Sequence, residues 1–481
     1  MSVAAKNYKL PADFLWGFAT AAYQVEGGAQ EGGRGPSIWD TFSHTPGKTH
    51  NGDTGDVAVD QFHLYKEDVQ LLKSYGVKAY RISLSWSRII PLGGRNDPVN
   101  PEGIQYYNNL INELLANGIA PFVTLYHWDL PQGLEDRYKG LLNTEEFALD
   151  FENYARVVFG AFGDRVKHWL TFNEPVVVAT LGFSIGVFAP GRSSDRSRCQ
   201  EGDSSTEPWR VGHSILIAHG KAYKVYKEEF KPTQKGVCGI TLNGDWPEPY
   251  TQTPEDIEAA QRKNEFAISW YADPVYLSGD YPASMRQQLG DRLPYFTKEE
   301  TALMKGSSDF YGMNHYTANY IKHRKTPAPL DDFIGNVDMT FTSTEGVDLG
   351  PECESFWLRP CAWGFRKLLN WIYKRYGYPI YVTENGCSIK GEQNLPVEEA
   401  VNDDFRVKYF QDYLDAMLLA IHEDGVVVKG YLGWSFLDNF EWAEGYATRF
   451  GVTHVDYKTL VRTPKKSAYA VKKWFEEHIE A

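Results

Sequence analysis

Nothing in this 481-residue sequence reads as a disulfide framework or a metal centre. The cysteines number five, at positions 199, 238, 353, 361 and 387. They are odd in count and show neither a Cys-x-x-Cys pair nor a His-paired spacing, so reduced thiols and no metal are expected. No window of about eighteen apolar residues occurs, and the N-terminal Met1 to Tyr8 has no apolar core of signal-peptide length. A cytoplasmic protein with no membrane partner is the expectation. Basic residues are also short: 49 Lys and Arg stand against 63 Asp and Glu, a formal charge of −14. That sign repels phosphate backbones, so nucleic acid is not an expected partner. A glycine-rich phosphate cradle, a serine nucleophile elbow and a lysine marked out for a Schiff base are all missing, so no cofactor is implied. What is abundant is aromatic: 15% of the chain, with 14 Trp and 30 Tyr. Core packing explains most of these rings, but Trp beside polar residues is also what sugar stacking needs.

The 42% hydrophobic and 23% charged fractions suit a soluble globular chain long enough for a large core. Short apolar strands alternate with longer amphipathic helices, and no linker or repeat divides them. Strands are expected at 14–21, 79–87, 121–128, 168–174, 237–242, 310–316, 379–384 and 429–436. Helices are expected near 58–75, 102–117, 143–162, 208–230, 257–271, 361–376 and 404–422. A Pro-, Asp-, Gly- and Thr-rich stretch near 323–355 reads as an insertion covering a site. Eight strand-helix units in one run predict an α/β fold, a single (β/α)8 TIM barrel with elaborated loops over 1–481.

In such a barrel the chemistry gathers at the C-terminal ends of the strands. Two segments place a carboxylate there: Thr171-Phe172-Asn173-Glu174-Pro175, and Tyr381-Val382-Thr383-Glu384-Asn385-Gly386, where Asn385 and Gly386 read as a turn. Taken singly, either could be a solvated turn glutamate; two with the same grammar suggest a working pair. Gln24, His127, Trp128, Asn314, Tyr316, Trp434, Glu441 and Trp442 fall at or beyond other strand ends. Arg81, inside an apolar strand, must find an anion because an unpaired buried guanidinium is prohibitive. Structural pairing is the plain reading, pairing with a catalytic carboxylate the sharper one. His127 alone would read as a hydrogen-bonded core histidine. Two carboxylates among amides and indoles describe a site for a neutral polyhydroxylated ring.

These residues resemble glycoside hydrolase family 1, and most closely its intracellular fungal β-glucosidases. The resemblance runs from Phe14-Leu15-Trp16-Gly17-Phe18 to Arg449-Phe450-Gly451-Val452. It implies double displacement with retention, Glu384 as nucleophile and Glu174 as acid/base. Gln24, His127, Trp128, Asn173, Asn314, Tyr316, Glu441 and Trp442 would line the site of the non-reducing sugar over a Trp434 floor. Asn173 would meet its 2-hydroxyl, and Arg81, Asn314 and Tyr316 would orient Glu384. Glu441 facing the outer hydroxyls would repel a 6-phosphate. The implied partners are β-glucosides and short β-linked oligosaccharides. One departure bears on the leaving group: many relatives carry Trp directly after Asn-Glu-Pro, where this chain has Val176.

Two other classes stay open at this stage. One is a sugar-binding barrel without hydrolysis, which the intact pair of carboxylates argues against. The other is a cofactor-dependent barrel oxidoreductase or aldolase, for which no phosphate loop is seen. Preferred aglycone and oligomeric state are likewise open.

Overall fold

The computed structural model describes residues 8–480. Eight parallel strands close on themselves: β1 (Leu15–Ala19), β2 (Ala79–Ser83), β3 (Ala120–Tyr126), β4 (His168–Asn173), β5 (Val237–Asn243), β6 (Tyr311–Asn314), β7 (Ile380–Glu384) and β8 (Val428–Trp434). Each pairs with its neighbours in sequence, and β8 returns to β1 with Ala19 opposite Trp434. Closure leaves no free strand edge in the barrel. The fold expected from the alternation is the one observed.

The outer helices form for ordinary reasons. In Pro101–Ala116, Asn100 accepts from the Glu102 amide at 3.2 Å, Pro101 supplies a pre-set first turn, and Tyr106, Tyr107, Leu110, Ile111 and Leu114 form the buried stripe. Thr144–Phe162 caps on Asn143 and packs along Glu207–Val225. On that helix His219 shares a 2.7 Å hydrogen bond with Thr171 and His213 one of 2.9 Å with Tyr281, so both are internal fastenings.

Several expected boundaries move. The second strand stops at Ser83, and Trp86–Ile89 is a helical turn with Trp86 stacked on Tyr154 at 4.6 Å. Gln24 lies in the short helix Ala22–Val25 rather than in a turn after β1. Wider π-type turns at Tyr226–Phe230 and Glu265–Ser269 interrupt the helices expected at 208–230 and 257–271. The 323–355 excursion is partly ordered by strands. Ala318–His323 pairs with Trp246–Pro249 on one side and Val337–Thr340 on the other. Its downstream end brings Trp357 edge-on to Tyr316, ring centroids 5.6 Å apart.

The strand ladder slips at the two ends that carry carboxylates. Pairing shifts between Leu170 and Asn173 on β4, and between Val382 and Glu384 on β7. A local irregularity re-aims the side chains that follow it. Among the described residues no helix is long and apolar enough to cross a membrane.

Candidate active site

The strand ends converge on one polar cluster. From β2, the guanidinium of Arg81 donates from Nη1 to Glu384 Oε1 at 2.7 Å and to the Thr383 carbonyl at 3.0 Å, and from Nη2 to Asn173 Oδ1 at 2.6 Å. Tyr316, two residues beyond β6, donates its hydroxyl to Glu384 Oε2 at 2.7 Å. Asn314 donates from Nδ2 to Glu174 Oε1 at 2.6 Å and to Asn173 Oδ1 at 3.1 Å. The two carboxylates, only 7% and 4% exposed for Glu174 and Glu384, therefore belong to one hydrogen-bonded array.

That array has a fixed sense of donation. Thr383 donates to Asn314 Oδ1 at 2.7 Å, which turns the Asn314 amide nitrogen toward Glu174. Arg81 holds Asn173 Oδ1, which turns the Asn173 Nδ2 toward His127 Nε2 at 3.0 Å. His127 must accept there, which puts its proton on Nδ1. Burial, and then the Arg81 charge, hold the imidazole pKa well below its ordinary value, so the ring is neutral.

The electrostatics separate the two acids. Burial pushes the Glu174 pKa well up, and the neighbouring Glu384 charge pushes it the same way; Asn314 and Arg81 offset only part. Burial raises Glu384 too, but there Arg81 and the Tyr316 hydroxyl act against it. Of the two, Glu174 is therefore pushed further toward holding a proton, and Glu384 is the one whose partners favour its charge.

The remaining predicted residues stand around this pair. Gln24 Nε2 donates to Asn439 Oδ1 at 3.0 Å and the Phe440 carbonyl at 2.8 Å, and lies 3.5 Å from Glu441 Oε2. Burial, followed by the Glu444 charge, pushes the Glu441 pKa well up. Trp128 Nε1 donates to the Asn173 carbonyl at 2.9 Å. The His127 ring lies nearly parallel to Trp434 and Trp442, with centroids 6.0 and 5.9 Å away. Glu174, Trp128 and Trp442 all have left-handed backbone, with φ of 46°, 78° and 50°. Such conformations cost about 1–3 kcal/mol each and cluster where function needs them.

Two aromatic residues outside the predicted set, Trp39 and Tyr23, also shape the site. Trp39 packs on Trp442 at 4.6 Å and Tyr23 stacks on it at 6.2 Å. Trp39 sits in a helix whose Ser37 and Asp40 form a capping box, a Ser-x-x-Asp signal that was legible. Asn385 and Gly386 do not make the expected turn. Asn385 is a pin: it donates to the His315 carbonyl at 2.7 Å and Tyr409 at 3.0 Å, and accepts from Tyr431 at 2.6 Å. Gly386 is required by proximity, because a Cβ there would lie 1.7 Å from the Trp434 carbonyl oxygen.

Among the described residues no group of three or more His, Cys, Asp or Glu side chains could hold a metal ion. A family model described as Glycosyl hydrolase family 1 matches residues 6–481. Beta-glucosidase 1B of Phanerodontia chrysosporium is 60% identical over 476 residues, spanning 99% of this chain and 87% of that one. Raucaffricine-O-beta-D-glucosidase of Rauvolfia serpentina is 46% identical, spanning 98% and 91%. The crystal structure of a GH1 beta-glucosidase from Humicola insolens in complex with glucose superposes with a TM-score of 0.97 at 61% identity, covering 98% of this chain and 100% of that one.

Proposed function

The chain belongs to glycosyl hydrolase family 1, and we propose that it acts as a retaining β-glucosidase. Its substrates on this reading are cellobiose, short cello-oligosaccharides and aryl or alkyl β-glucosides, with transglycosylation as a side reaction. One observation carries it: two buried carboxyl groups, at the ends of β4 and β7, share one hydrogen-bonded array in which Arg81 and Tyr316 favour the charge on Glu384 while burial and the Glu384 charge favour a proton on Glu174. Retaining glycosidases need this division between carboxyl groups about 5–5.5 Å apart.

In the first displacement Glu384 attacks the anomeric carbon while Glu174 protonates the departing oxygen. The glycosyl ester removes the Glu384 charge, the Glu174 pKa falls, and the same group then takes a proton from the incoming water. Asn173 sits between Arg81 and His127, placed to meet the 2-hydroxyl, where contacts strengthen as positive charge develops on the ring. Trp434 offers a flat apolar face, and Gln24 and Glu441 offer hydrogen bonds to the outer hydroxyls. A cytoplasmic setting is consistent with five cysteines that are all buried and unpaired.

Proton NMR of a fresh digest of an aryl β-glucoside tests the reading. β-Glucose is expected as the first anomer seen, with the α form appearing only by mutarotation. α-Glucose as the first product, or no hydrolysis, would overturn it.

A second expectation concerns Tyr316→Phe. The lost hydrogen bond favours ionised Glu384, so its removal raises that pKa, and the acid limb of the kcat/KM profile should move to higher pH. A hydrogen bond to a charged group contributes about 1.5–3 kcal/mol, so kcat/KM at the optimum should fall roughly 10- to 150-fold. An unmoved acid limb would remove Tyr316 from this role.

A further inference from the structure

Between the segments that follow β7 and β8 lies a second charged cluster that the mechanism does not use. At its centre is Lys465, just before the C-terminal helix Lys466–His478, with a side chain 0% exposed. Its ammonium lies 2.5 Å from Glu392 Oε1 and 2.9 Å from Asp438 Oδ1. Glu392 belongs to the segment after β7; its other oxygen accepts from Arg406 at 2.6 Å. Arg406 also pairs with Asp403 at 2.7 Å and donates to the Cys387 carbonyl at 3.2 Å, three residues past Glu384. Asp438 belongs to the segment after β8. It accepts from Arg449 at 2.6 Å and from the Gly451 amide at 2.9 Å. The residue after it, Asn439, accepts from Gln24.

Three cations and three carboxylates are thus enclosed together. Taking ions out of water costs several kcal/mol each, and apolar replacement of buried pairs is often neutral or stabilising, so stability alone is a weak reason to keep six charges there. Burial opposes ionisation of Asp438, yet Lys465 and Arg449 outweigh it and hold that pKa down at about 2, so the contacts are ionic across the working range. Among the described residues, Lys465 is the side chain that pairs with a carboxylate from each segment.

We propose that Lys465 is a positioning residue: its ammonium clamps the segment after β7 to the segment after β8, and so sets the gap between Glu384 and the Gln24, Asn439 and Glu441 array that a bound sugar must span. The inference rests on the glucosidase reading. Loosening the clamp displaces the outer-hydroxyl contacts relative to the nucleophile. Its cost is therefore carried by the sugar's outer hydroxyls.

The test compares Lys465→Met with wild type on an aryl β-glucoside and on its 6-deoxy analogue. A misplacement of about 1 Å costs on the order of 10²-fold, and a loss of that scale in kcat/KM is expected for the glucoside. For the 6-deoxy substrate, which lacks the hydroxyl being misaligned, the loss should be several-fold smaller. Equal losses on both substrates would mean a merely structural lysine and would overturn the proposal. If Lys465→Met does not fold, Asp438→Asn, close in shape, reads the same comparison with the same two outcomes. Failure of wild type to turn over either substrate would instead overturn the glucosidase reading, so the two failures are distinguishable.

Discussion

Glu384→Gly is expected to lower turnover of an aryl β-glucoside by on the order of 10⁵-fold, the scale on which removal of a covalent nucleophile acts. The pocket left behind should admit a small anion. Added azide can then attack the anomeric carbon from the face Glu384 occupied, giving the α-glycosyl azide in a single displacement. The product's configuration is the informative part, because it reports which face the missing group worked from. Normal hydrolysis by this variant, or a β-azide product, would remove Glu384 from the nucleophile's role.

Glu174→Ala should behave differently and in a way that depends on the leaving group. General acid catalysis contributes roughly 10²- to 10⁴-fold, so an alkyl glucoside or cellobiose should lose that much in kcat/KM. An activated dinitrophenyl glucoside, whose leaving group needs no proton, should lose little in kcat/KM. Its kcat should still fall, because water then attacks the glycosyl ester without a base. Azide needs no base, so it should raise kcat and give the β-azide with net retention. Equal losses in kcat/KM for activated and unactivated leaving groups would contradict the assignment.

The two variants thus predict azides of opposite configuration from sites that Asn314 and Arg81 tie into one array. Their separation depends on electrostatics that alignment of motifs does not express. Burial acts on both acids; what differs is that Glu174 also feels the Glu384 charge, whereas Glu384 has Arg81 at 2.7 Å. A family resemblance assigns the roles, and the geometry supplies a reason for them.

The barrel was legible because apolar strands and amphipathic helices alternate with different periods, and a buried parallel strand has few other ways to read. The site's principal members were legible because Asn-Glu-Pro and Glu-Asn-Gly each end an apolar run. Boundaries were less so. Trp86 looks like strand continuation by composition, but it leaves β2 to stack on Tyr154, a tertiary preference that outweighs local propensity. Gln24 follows an apolar run and reads as a turn, yet its side chain is committed to residues 439 and 440. No local pattern reports a partner that far along the chain. The same limit hides Lys465, which in sequence is one lysine of a basic pair, and in space joins two segments beside the site. Gly386 reads in the sequence as part of a turn, but what requires a glycine there is close approach to the Trp434 carbonyl.

Trapping the glycosyl ester offers the sharpest measurement. A 2-deoxy-2-fluoro-β-glucoside with an activated leaving group should inactivate the protein with one sugar per chain, and peptide mass spectrometry should locate that sugar on Glu384. A label on Glu174 or Glu441, or continued full activity with no label, would contradict the account at its centre.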